Sequence, residues 1–158
     1  MDAFEKNLLK RLASPAYAEM YVAANATAAS IPSGSTYTKI IGTGLTLGDY
    51  KNTTPSVANG NITINRTGKY LVNATFSSKL GTDSVLWDTA VCINGVEKTN
   101  LHMRRKFSTK GYTFNVCISG IVSLSSGDVL DIRVKHDNAS SVNITNEYSN
   151  ICITYIGT

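Results

Sequence analysis

One stretch constrains this chain more than any other: residues 111–134, GYTFNVCISGIVSLSSGDVLDIRV. It reads as a hairpin, two strands joined by a tight turn at Leu124-Ser-Ser-Gly-Asp128. The second arm, Val129 to Lys135, alternates strictly, with Leu130, Ile132 and Val134 on one side and Asp131, Arg133 and Lys135 on the other. Successive side chains of a strand point to opposite faces, so strict alternation marks an antiparallel strand with one face in water. The first arm, Tyr112 to Val122, is apolar on nearly both faces, as expected of a strand covered on both. The pattern predicts an outer strand and an inner strand, and the inner one needs cover on its second face. On that reading Val116→Asp or Ile118→Asp disrupts the core or an assembly, whereas Arg133→Ser costs little.

Strand patterns continue along the chain. Tyr17 to Ala24 and Thr36 to Thr43 read as strands, separated by a small-residue loop from Asn25 to Ser35. After Gly42 to Tyr50 and a polar loop, Lys51 to Gly60, strands recur at regular spacing: Asn61 to Arg66, Tyr70 to Ser78, Val85 to Ile93, Val96 to Phe107, and Val142 to Ile156 with a break near Glu147. Asn94-Gly95 between two β runs is a strong hairpin signal. About ten short antiparallel strands with no helix among them predict an all-β jelly-roll sandwich, residues 16–158.

The one helical pattern lies in residues 1–15. Phe4, Leu8, Leu9 and Leu12 form a stripe on a 3.6-residue period, Asp2 and Glu5 have the spacing of a capping box, and Ser14-Pro15 ends the run. Three turns are marginal alone in water. The segment therefore reads as a short amphipathic anchor, with those four residues docking on another surface.

At 158 residues the chain can bury a core without staples. Its net charge of +4 suggests nucleic acid only until it is located. Lys98, Arg104, Arg105, Lys106 and Lys110 contribute +5 within thirteen residues, which leaves the remainder at −1. Nucleic acid is therefore not an expected partner. The local cluster Arg104, Arg105, Lys106 and Lys110 reads either as a solvated edge strand or as an anionic contact such as a cell-surface glycan. On a strand, Arg104 and Lys106 share a face and Arg105 takes the other.

Cys92, Cys117 and Cys152 each sit between β-branched residues and read as small buried hydrophobes. An odd cysteine count and a start without a secretion-signal pattern point to assembly in a reducing cytoplasm. No run approaches 18 apolar residues, so membrane insertion is not expected. Nucleophile elbow, phosphate loop and paired acid–base carboxylates are all missing, and His102 and His136 lack partners at metal spacing. The chain reads as a non-enzyme without catalytic, cofactor or metal residues. A loop calcium site from Asp83, Asp88 and Asp137 is a weaker alternative.

Sorted by face, Asn61 to Arg66 and Val129 to Lys135 are outer strands. Tyr17 to Ala24, Tyr112 to Val122 and Ile151 to Ile156 are apolar on nearly both faces, and if they share one sheet that sheet is covered on its second side. A small monomer has nothing to cover such a sheet, so copies of the chain in a closed ring are the simplest cover.

Gly68-Lys-Tyr-Leu-Val72, Leu124-Ser-Ser-Gly-Asp128-Val and the terminal Ile151-Cys-Ile-Thr-Tyr-Ile-Gly157 resemble the tumour necrosis factor and complement globular-head jelly roll. The resemblance runs from about Ala16 to Thr158 and implies a ten-strand jelly roll and a homotrimer. Tyr17 and Tyr21, then Tyr112, Phe114, Val116 and Ile118, then Ile151, Ile153 and Tyr155 are the candidate trimer interface. Collagen's repeating glycine, a signal peptide and a cysteine pair are missing, which departs from secreted complement-like proteins. Similar domains with a short amphipathic anchor occur in tailed-bacteriophage virions. The expectation is a virion structural protein, a head fibre or capsid decoration docked on other virion proteins. The alternative is a receptor- or carbohydrate-binding head of a tail fibre, using the basic strand and loops such as Leu45 to Asn59.

Overall fold

The computed structural model describes residues 2, 4–6, 14–34, 36–40, 44–82 and 84–158. The strands, in chain order, are β1 (Tyr17–Val22), β2 (Ala28–Ile31), β3 (Thr38–Lys39), β4 (Leu45–Lys51), β5 (Thr53–Ser56) and β6 (Asn61–Ile64). They continue with β7 (Gly68–Leu80), β8 (Val85–Ile93), β9 (Val96–Phe107), β10 (Thr113–Leu124), β11 (Val129–His136) and β12 (Val142–Gly157). Two six-stranded antiparallel sheets make a sandwich: β10-β7-β12-β1-β4 with β2 beside β12, and β5-β6-β11-β8-β9 with β3 beside β11.

The core lies between the sheets and follows from alternation. From the first sheet, Val72, Ala74 and Phe76 of β7, Phe114, Val116 and Ile118 of β10, and Ile151 and Ile153 of β12 are buried. From the second, Ile62, Trp87, Val91, Leu130, Ile132 and Val134 meet them in one cluster. Each buried Val, Leu, Ile or Phe side chain contributes roughly 1.5–3 kcal/mol on burial. Asn94 and Gly95 both have positive φ, 52° and 82°, as the tight β8–β9 turn requires. The expected break near Glu147 is a bulge in the β12–β7 pairing between Asn146 and Tyr148.

The three strands expected to share a sheet, β1, β10 and β12, do so, and β6 and β11 share the other. Several finer expectations need correcting. The stretch 111–134 is an arch rather than a hairpin: β10 pairs with β7, while β11 pairs with β6, β8 and β3. A sandwich lets the two arms approach one core from opposite sheets, each presenting its own apolar face. Nor is the first arm apolar on both faces. Phe114, Val116 and Ile118 are buried, but Asn115, Cys117 and Ser119 between them are exposed. Of the cysteines, Cys92 is buried, Cys152 is half-buried and Cys117 is exposed. The two segments read as loops, Asn25 to Ser35 and Lys51 to Gly60, contain β2 and β5.

The polar side of β11 is not simply in water. Asp131 is only 3% exposed, because β11 lies inside its sheet and two cations close over the carboxylate. Arg133 grips it through Nε at 2.7 Å and Nη2 at 3.0 Å, and Lys39 Nζ lies 3.0 Å away. Arg133→Ser therefore costs more than its place on an alternating strand suggests. Losing hydrogen bonds to a buried charge should lower stability by about 1–3 kcal/mol in urea unfolding. A change below about 0.5 kcal/mol would mean that Lys39 alone satisfies Asp131.

Candidate interaction surfaces

The outward face of the first sheet carries three cross-strand rows. They are Tyr17–Thr154–Leu71–Ile121, Glu19–Cys152–Asn73–Ser119 and Tyr21–Asn150–Thr75–Cys117. Among these side chains Glu19 alone is charged, and it accepts a hydrogen bond from Asn150 Nδ2. Ile121 on β10 and Tyr148 on β12 are 53% and 55% exposed. A shallow depression of about 480 Å³ lies beside Tyr148, over Tyr21, Thr75, Ser77, Asn115 and Asn150. The centre of the face is mixed amide, hydroxyl and aromatic, and the Lys79–Glu147 pair and Lys69 lie toward its ends.

The outward face of the second sheet is the opposite. Asp88 of β8, 4% exposed, binds Arg104 of β9 through Nε at 2.7 Å and Nη2 at 3.0 Å. His102 Nε2 lies 2.7 Å from the same carboxylate, and its Nδ1 is 3.6 Å from Glu97. Burial alone would raise the Asp88 carboxyl, but hydrogen bonds and charge from Arg104 and His102 outweigh it and hold the group below its ordinary range. Burial, followed by Glu97, pushes the Tyr37 hydroxyl up, and Lys135 Nζ sits 4.3 Å over that ring. Burial likewise raises the Cys92 thiol to about 11, which keeps it protonated.

The candidate residues fall in several places. Phe114, Val116, Ile118, Ile151 and Ile153 face the core of their own chain and so are not a surface. Tyr17 and Tyr21 lie half-buried on the outward face of the first sheet. Tyr155 is half-buried beneath the Arg66 guanidinium, 3.8 Å from its ring centroid, and meets Tyr70 edge-on. Tyr112, 73% exposed, stands in the β9–β10 connection, away from those rows.

Register confirms the alternation of the basic strand: Arg104 and Lys106 oppose Asp88 and Leu86 on one face, and Arg105 opposes Trp87 on the other. Arg104 is thus an internal ion-pair partner. Arg105 instead reaches across the sandwich edge, donating from Nη1 to the Asn115 carbonyl of β10 at 3.1 Å. Lys110 lies in the connection itself.

At the N-terminus the capping box is formed. Glu5 N donates to Asp2 Oδ1 at 2.7 Å, and Asp2 N to Glu5 Oε2 at 3.0 Å. Residues 4–6 are helical and Phe4 is 74% exposed, while Leu8, Leu9 and Leu12 lie outside the described residues. The segment joins the sandwich at Ser14 and Pro15, whose backbone accepts from Arg66 and Asn52.

Of the loop carboxylates, Asp88 is held by Arg104 and His102, Asp137 accepts from Leu86 N at 2.8 Å, and Asp83 lies outside the described residues. No group of three or more metal-ligating side chains occurs among the described residues. His136 is buried, stacked on Trp87, with Nε2 3.2 Å from the Ile31 carbonyl. The importance of Asp88 was detectable in the sequence: a carboxylate inside the apolar run VLWDTAVCI must have a partner.

Asp88 sets an acid limit on stability. Its folded pKa lies below the unfolded value near 4, so its contribution is complete above that value and is lost as pH falls through the folded one. Asp88→Asn should cost about 1–3 kcal/mol at pH 7 and flatten the loss of stability between pH 5 and pH 2. Urea midpoints across that range check it; parallel curves for the two proteins would assign the acid sensitivity elsewhere.

No protein-family model matches the sequence, and no curated protein matches it. Among solved structures the chain is similar to Eiger TNF from S. frugiperda, at 12% identity and a TM-score of 0.51, over 90% of this chain and 94% of that one. At that identity the likeness concerns the fold: the chain has a TNF-like jelly-roll sandwich.

Proposed function

We propose that this chain is a non-enzymatic structural protein of a bacteriophage virion. Three copies would associate through the outward face of the β10-β7-β12-β1-β4 sheet, and the N-terminal segment would dock the trimer on the particle as a head fibre or capsid decoration. The contrast between the two outer faces carries this reading. One is an ion-paired surface suited to water; the other has Glu19 as the one charge in its three central rows, keeps Lys69 and the Lys79–Glu147 pair toward its ends, and exposes Ile121 and Tyr148. Desolvating the second on association costs far less than desolvating charges. The interface residues are therefore reassigned. Tyr17, Tyr21, Leu71, Ile121 and Tyr148 replace the inward-facing set. The exposed Phe4 and the capped turn beside it support a docking segment.

A second reading, a receptor- or carbohydrate-binding head, is favoured by the placement of the basic corner. Ala16 O accepts from Tyr155 N at 2.7 Å at one end of the first sheet, while Gly111 N donates to Leu80 O at 2.9 Å at the other. Between these ends runs β7, 13 residues long, or about 40 Å. A tether at residue 16 would leave Arg105 to Thr113 at the far tip.

Light scattering on the full chain should give three times the 17.0 kDa chain mass, and Ile121→Asp should shift it toward one chain. A one-chain mass for the unaltered protein at micromolar concentration would overturn the trimer. Cosedimentation with purified capsids tests the anchor: Leu8→Asp with Leu12→Asp should abolish binding while leaving the trimer mass unchanged. Undiminished binding would remove that stripe from the docking role.

A further inference from the structure

At the far corner, between β9 and β10, a polar depression of about 260 Å³ opens. Arg105, Lys106, Ser108, Thr109, Tyr112 and Thr113 line it. We infer that it is a binding site for a single carboxylated sugar residue, a uronate or sialate unit of a surface polysaccharide. The volume lies just below the range of drug-sized sites, which suits one ring rather than a chain of them. A sugar ring needs an apolar surface for its C–H face, hydroxyl partners for its rim, and a cation for its carboxylate.

All three are present. The Tyr112 ring is 73% exposed, a large apolar face left in water beside the cleft. Ser108, Thr109 and Thr113 supply hydroxyls; Thr113 donates its own to Glu147 at 3.1 Å and retains an oxygen that can accept. Glu147 is itself balanced by Lys79 at 2.5 Å. Arg105 is pre-positioned by the Asn115 carbonyl at 3.1 Å and by the Phe107 ring, 5.4 Å from its guanidinium. Only one of the guanidinium's five N–H donors goes to that carbonyl, and its planar fork matches a carboxylate.

The surroundings argue against a polyanion backbone as ligand. A nucleic acid needs a track of available cations. Beyond this corner Arg104, Arg133 and Lys39 are committed to Asp88 and Asp131, and Lys79 to Glu147. Arg105 and Lys106 stand together at this corner, whereas these four cations are tied to carboxylates. One chain builds the whole site, so it stands or falls independently of the trimer. It rests on the receptor-binding reading only for where the sugar comes from.

The test uses the full chain and ligand-observed saturation-transfer NMR with methyl glucuronide, methyl glucoside and inorganic phosphate. Saturation should reach the glucuronide ring protons and be much weaker on the glucoside. Arg105→Ala should weaken glucuronide binding about ten-fold or more. Tyr112→Ala should remove the saturation, and Tyr112→Phe should restore it. Equal signals from both glycosides, no signal from the glucuronide, or complete displacement by equimolar phosphate with no dependence on Tyr112 would overturn the site. Particles bearing Tyr112→Ala that have lost glucuronide binding yet adsorb normally to cells would support the pocket and remove the receptor reading.

Discussion

Every second side chain of β7, β10 and β12 enters one shared core, and this alternation determines what each sheet can show outside. The residues left over on the first sheet are small, amide or aromatic. Those left over on the second are acids and bases placed opposite one another. In the second sheet the strand neighbours are close enough to bury the carboxylates of Asp88 and Asp131, so each needs partners and has two, Arg104 and His102 for the first and Arg133 and Lys39 for the second. A buried carboxylate without such partners would be strongly destabilising. Arg104, Arg133 and Lys39 are consequently tied to these carboxylates, whereas the basic residues beyond the end of the network are not.

Much of the fold was legible in the sequence. β8 and β9 follow the expected bounds, because long periodic runs and an Asn-Gly turn leave little freedom. The bulge at Glu147 and the grouping of β1, β10 and β12 in one sheet were also readable. The arch at Leu124 to Asp128 was not. A tight turn between two strands looks alike whether the strands pair or face each other across a core, and only partners far away in sequence decide. β2 and β5 escaped notice because they are short; β2 exists by virtue of its ladder with Val142 to Thr145, more than a hundred residues on.

The surfaces were read less well, for a specific reason. Cysteine, serine and glycine interrupt an apolar pattern so gently that β10 looks covered on both faces when only one face is. Phe114 and Val116, read as interface residues, lie in the core, and Ile121 and Tyr148 are the large side chains exposed on the outward face. The basic cluster likewise divides. Arg104 belongs to the ion-pair network, whereas Arg105, one position on, points across the sandwich edge into a cleft whose exposed aromatic, Tyr112, had been assigned to an interface.

The placement of Ala16 and the β9–β10 corner at opposite ends of the first sheet has a mechanical consequence. A pull between those points runs along the strands. The load enters at Ala16, just before β1, and passes through β12 and β7 to the start of β10. Antiparallel ladder bonds lie perpendicular to the strands, so such a pull shears many of them at once instead of peeling them singly. The sandwich is oriented to resist force along its long axis, and far less so across it.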